Sequence, residues 1–105
     1  MADDREARLK AARDKIDAVD VRILELINER TRVVEEIGRI KQEFQMAIYE
    51  PKREEQVFEN ITRNNKGPLP DDAVKRVFER IIDEMRTVQR TKMLQQKQQQ
   101  QEESK

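Results

Sequence analysis

Three cations, one carboxylate and one amide in this chain occupy positions where a helical apolar stripe calls for hydrocarbon. At about 100° per residue, Ile16, Val19, Ile23, Leu26, Val34, Ile37 and Phe44 all fall within about 40° of Arg30. Lys41 lies about 20° from Arg30. Val34 and Ile37 form an apolar floor between these cations, whose Cα atoms would stand about 16 Å apart on a straight helix. Two such long side chains can converge across that gap on one small anion. A later segment repeats the arrangement. Gln89 falls about 20° from Phe78, near the centre of a stripe formed by Val74, Phe78, Ile81, Ile82, Met85 and Val88. Between the two, Arg53 and Glu54 stand on the line that continues through Val57 and Ile61.

Buried charges need partners, and leaving them unpaired costs several kcal/mol. Arg30, Lys41 and Arg53 are set against Glu54 alone, so the inward set carries surplus positive charge. That is the make-up of a pocket for a small dianion. Arg binds a carboxylate bidentately, and Lys supplies a mobile point charge. Taken singly, each residue has a plainer explanation. Arg and Lys snorkel from the edges of apolar stripes, and a buried Gln can bridge backbone groups. The set as a whole is harder to explain that way.

The composition narrows the chemistry further. The chain has no cysteine and no histidine. Cysteine nucleophiles, disulfides and thiolate metal sites are excluded, as are histidine bases, histidine metal ligands and the Ser-His pair. Lys+Arg and Asp+Glu each number 22, for a net charge of zero. A protein that coats nucleic acid usually shows a basic excess.

Helices must position these residues. The 105 residues suit one domain, and with 35% hydrophobic and 4% aromatic residues a monomeric core would be thin. The composition favours long amphipathic helices. No apolar run approaches the roughly 20 residues of a membrane span. The N-terminus is charged from its first residues, with no signal-peptide core. These features predict a soluble, cytoplasmic, helical and oligomeric protein.

Two breaks punctuate the pattern. Glu50-Pro51 ends the first helix, because the residue before proline is pushed out of the helical region. Asn64 to Pro70 is a compact loop signal, and Asp71-Asp72 favours a helix N-terminus. The spacing predicts helices over about 5–44, 51–64 and 71–96. Residues 1–94 form the domain, and 95–105 read as a glutamine-rich, low-complexity tail, either frayed helix or disorder. A 40-residue helix extends about 60 Å, whereas a compact chain of this size has a radius of gyration of about 13 Å. Two short helices cannot cover that stripe, and a second copy of the chain is the plainest partner. A simple coiled coil is the rival, although the spacing is of the 3.6 type rather than a sustained heptad. Arg13 lies about 100° off the stripe and about 26 Å from Arg30. Alone it reads as a surface arginine, and it could reach a pocket near Lys41 only from an antiparallel partner.

At these residues the sequence resembles the all-helical AroQ-class chorismate mutases. The resemblance runs from about Leu9 to Arg90, through AARDKIDAVDVRILELINERTRVVEEIGRIK, YEPKREEQVFENI and VFERIIDEMRTVQ. The order and spacing of Arg13, Arg30, Lys41, Arg53, Glu54 and Gln89 match that family's active-site pattern. The stretch from LINERTRVVEEIG to NNKGP looks most like the mutase domains fused to some DAHP synthases.

The resemblance implies an intertwined homodimer of three-helix chains with two equivalent sites. It implies the Claisen rearrangement of chorismate to prephenate, on the route to phenylalanine and tyrosine, with no metal or organic cofactor. Arg13 of the partner chain and Arg30 would clamp the substrate carboxylates. Lys41 would meet a carboxylate and the ether oxygen, and Gln89 would donate its amide N–H to the same oxygen. Glu54 would accept from the ring hydroxyl, Arg53 would support the carboxylate end and position Glu54, and the backbone around Glu50 would assist. Val34, Ile37, Val57 and Ile82 would wall the ring. The chain departs from the family at Met85, where a small residue is common, at Glu50, where Asp is common, and at Arg86, where an apolar residue is common. Arg86 would lie at the pocket rim or point outward. A prephenate- or chorismate-binding regulatory domain of a DAHP synthase, an isochorismate-pyruvate lyase and a non-enzymatic helical adaptor are the competing readings.

Overall fold

The computed structural model describes residues 3–103 and is all-α. Its helices are α1 (Asp3–Glu43), α2 (Pro51–Asn64) and α3 (Asp71–Glu103). The chain divides into two compact units between Val33 and Val34, within α1.

The first unit is the leading part of α1. It contains no glycine or proline, and turn-to-turn ion pairs run along it, Lys10 to Asp14 at 3.0 Å and Arg8 to Asp4 at 3.9 Å. Each such exposed pair contributes only about 0.2–0.5 kcal/mol. The apolar stripe here meets solvent: Ile16 is 58% exposed and Leu26 64%, with Val19 and Ile23 close behind.

In the second unit α1 ends in a Schellman-type cap. The Met46 N–H donates to the Lys41 carbonyl at 2.7 Å and the Gln45 N–H to the Gln42 carbonyl at 3.3 Å. Gln45 adopts φ 56°, the left-handed conformation this cap requires and glycine takes most easily. Helix α2 starts at Pro51, which brings a fixed φ and no N–H to the first turn. Its N-cap residue, Glu50, is extended and makes no side-chain capping bond.

Asn65 organises the loop between α2 and α3. Its Nδ2 donates to the Leu69 carbonyl at 2.8 Å and to Asp71 Oδ1 at 2.7 Å, and its Oδ1 accepts from the Gly67 N–H at 3.0 Å. Gly67 has φ 69°, which a side chain would strain. Helix α2 packs on α3, and Val74, Ile82 and Met85 of α3 are buried.

The boundaries follow the breakers. Helix α2 spans the expected residues, and α1 ends one residue earlier than expected. Helix α3 continues to Glu103 instead of ending near residue 96. Glutamine is a good helix former, and no proline or glycine follows Pro70 to stop the helix. Among the described residues, no helix is long and apolar enough to cross a membrane.

Candidate active site

Lys41 is the most deeply withdrawn charge of the second unit. It is 8% exposed and falls in the last turn of α1. Its ammonium donates to the Ile48 carbonyl at 2.8 Å and pairs with Glu50 Oε1, also at 2.8 Å. Both partners come from the short link between α1 and α2, so the cap at Gln45 is what turns the chain back onto Lys41. The same pairing explains the bare N-cap of α2, because the Glu50 carboxylate is committed to Lys41. Glu50 thus holds Lys41 with its side chain. An ammonium has three donors, and these contacts use two.

Gln89 of α3 faces the same stretch of α1. Its Nε2 makes a long hydrogen bond of 3.4 Å to the Val34 carbonyl. A Cβ built on Gly38 would stand 3.6 Å from Gln89 Cγ, an ordinary van der Waals contact, so the glycine is not what sets this spacing. Lys41 and Gln89 line a common cavity of about 130 Å³ with Gly38, Met46 and Ile48. Its rim carries Glu35, Arg39, Gln42, Lys92, Met93 and Gln96, with Lys92 paired to Glu35 at 3.4 Å. Small-molecule pockets usually measure about 300–1,000 Å³, so this cavity on its own is small for one.

Glu54 is half-buried on α2 and lies 3.6 Å from Nε of Arg86, on α3. The guanidinium of Arg86 also bonds Asp83 at 2.7 Å and lies over the ring of Tyr49. Arg86 thus faces neither outward nor the Lys41 cavity: it pairs with Glu54.

The remaining expected residues are placed as follows. Arg53 was expected inward but is exposed, its Nη1 donating to Gln56 at 3.4 Å. The two residues flank the Val57–Ile61 stripe on opposite sides, Arg53 about 40° from Val57 and Glu54 about 20° from Ile61, and the Glu54 side meets Arg86 of α3. Ile82 and Met85 are buried, Val34 and Val57 are half-buried, and Ile37 is exposed. None of these five lines the Lys41–Gln89 cavity. In the first unit Arg13 is exposed and Arg30 half-buried.

Sequence reasoning did not find the Ile48 carbonyl, because a backbone acceptor leaves no side-chain signature. It also did not pair Arg86 with Glu54. The available signal was the angle of Arg86, about 40° from Ile82 and so beside the α3 stripe.

Known proteins share this fold and much of this sequence. The family model for chorismate mutase type II matches residues 12–90. The bifunctional chorismate mutase/prephenate dehydratase of Neisseria gonorrhoeae is 42% identical over 78 residues, covering 74% of this chain. This chain spans only 21% of the length of that relative. The chorismate mutase of Methanocaldococcus jannaschii is 29% identical over 84 residues, covering 79% of this chain and 85% of its own. Among solved structures, chorismate mutase (Form II) from Thermus thermophilus superposes with a TM-score of 0.77 at 37% identity. It covers 79% of this chain and 94% of that one.

Proposed function

The chain belongs to the chorismate mutase type II family, and from that premise we propose that it converts chorismate to prephenate as a cytoplasmic homodimer. The observation that carries the proposal is the buried ammonium of Lys41 beside the amide of Gln89 on one cavity. An intramolecular rearrangement needs neither a nucleophile nor a proton relay. It needs a compact conformer of the substrate and fixed donors where charge develops on the ether oxygen as its bond to carbon breaks. Lys41 is held by Ile48 and Glu50 with one donor left over. Gln89 Nε2 is tethered only by a 3.4 Å bond, which a better acceptor would displace.

The remaining roles follow the family pattern. Arg30, and Arg13 from the partner, would clamp the two carboxylates. Glu54 would accept from the ring hydroxyl. The homodimer is supported by the small cavity and by the solvent-facing stripe of the first unit.

Product analysis tests the assignment. Purified protein incubated with chorismate should yield prephenate and release no pyruvate. Pyruvate from isochorismate, with chorismate untouched, would replace it with a lyase of the same fold.

A further inference from the structure

Arg86 is the departure from the family pattern with charged and aromatic partners in two other segments of the chain. Its side chain is 27% exposed and that of Glu54 is 23% exposed. The guanidinium is fixed on three sides. Its Nη2 bonds Asp83 Oδ1 at 2.7 Å, its Cζ lies 5.3 Å from the centroid of the Tyr49 ring, and its Nε lies 3.6 Å from Glu54 Oε2. That Nε is buried and has no hydrogen-bond partner. An N–H donor bonds at about 2.7–3.2 Å, so the Nε–H and the Glu54 carboxylate stand a fraction of an ångström outside a bond.

We propose that Arg86 is a positioning residue for the reaction, orienting the Glu54 carboxylate so that its free oxygen accepts from the substrate's ring hydroxyl. This rests on the reading of Glu54 as that acceptor. The family resemblance gives the positioning task to Arg53, but Arg53 is exposed and bonded to Gln56. A glutamate side chain loses rotamer freedom, at an entropic cost, when held in one direction. A pinned carboxylate meets that cost before the substrate arrives, which is how orientation lowers a barrier. An ionised carboxylate has about four lone-pair sites on its two oxygens. Oε2 can therefore accept from Arg86 while Oε1 accepts from the hydroxyl.

The chemistry requires arginine here. The guanidinium carbon lies over the Tyr49 ring, one nitrogen reaches Asp83 and another faces Glu54. Lysine has neither the plane nor the fork. Tyr49, just before α2, thereby anchors the cation that directs a residue in the first turn of α2.

A double-mutant cycle tests the proposal. Arg86→Met keeps an apolar stem and removes the fork, and Glu54→Gln removes the charge of the acceptor. Arg86→Met should lower kcat/KM by about tenfold, with most of the loss in kcat, and Arg86→Lys should not restore it. In a Glu54→Gln background Arg86→Met should cost less than about twofold more. Equal losses in both backgrounds would overturn the proposal, because Arg86 would then act independently of Glu54. If Glu54→Gln alone leaves kcat/KM unchanged, the reading of Glu54 fails and the proposal falls with it. A crystal structure of Arg86→Met gives a readout that needs no activity. Glu54 should swing away from its present direction or lose its order, and an unmoved, ordered Glu54 would refute the positioning role.

Discussion

Lys41 shows how one cation can be both buried and usable. Removing an ammonium from water costs several kcal/mol unless its donors are met. Here a backbone carbonyl and a carboxylate meet two of them at 2.8 Å each. The Glu50 side chain is 42% exposed, so it returns to water readily if Lys41 is lost. Lys41→Ala is therefore expected to leave a folded protein whose kcat falls by about 10²–10³, the usual cost of removing one oxyanion donor. Gln89→Ala should cost a similar factor for the same reason. Circular dichroism and steady-state kinetics on both variants check this, and near-normal turnover in either would remove it from the reaction. Both residues were legible in the sequence because each interrupts an apolar stripe near its centre. Arg53 is exposed in the single chain, as an edge position on a short helix allows. Arg86 was left open between rim and surface because its partners, Glu54 and Tyr49, come from other parts of the chain.

The elements hold these side chains through their ends more than their middles. The turn at Phe44–Met46 aims Ile48 and Glu50 at Lys41, and it contains the one non-glycine residue with positive φ among the described residues. A left-handed side-chain residue costs roughly 1–2 kcal/mol, partly offset for glycine by its extra freedom in the unfolded chain. Gln45→Gly should therefore stabilise the fold by roughly 0.5–1 kcal/mol, with little effect on kcat. Urea melts with an unchanged slope and a higher midpoint would bear this out, and a lower midpoint would show that Gln45 makes contacts worth more than the strain. The starts of α2 and α3 and the end of α2 were readable from Pro51 and from Asn64 to Pro70, because these residues dictate backbone angles. The end of α3 was not, because glutamines neither stop a helix nor bury a stripe. The cap at Gln45 was equally silent, since glutamine is not the residue such caps favour.

At the scale of the whole molecule, the first unit exposes Ile16, Val19, Ile23 and Leu26 on one stripe. Burying such side chains is worth about 1.5–3 kcal/mol each, ample reason for a second chain to cover them. In the proposed dimer each site takes Arg13 from one chain and Lys41 from the other. Arg13→Ala and Lys41→Ala homodimers should each be nearly inactive. Mixed by unfolding and refolding together, they should regain about a quarter of wild-type activity, because half the dimers would be mixed and hold one intact site each. No recovery, with mixed dimers shown by mass spectrometry, would mean that Arg13 serves no shared site. Helix length and thin hydrophobic content alone already argue for a partner. Spacing adds that Arg13 cannot reach the Lys41 region of its own chain, so a shared site calls for an antiparallel partner.

The most direct test of an electrostatic mutase is the rate of chorismate loss, followed by absorbance, for the wild-type chain and for Lys41→Ala at equal chain concentration. The wild type should consume chorismate with prephenate as the product, and Lys41→Ala should be slower by about 10² or more while remaining folded. A wild-type chain that leaves chorismate at its uncatalysed rate, or a Lys41→Ala chain as fast as wild type, would contradict it.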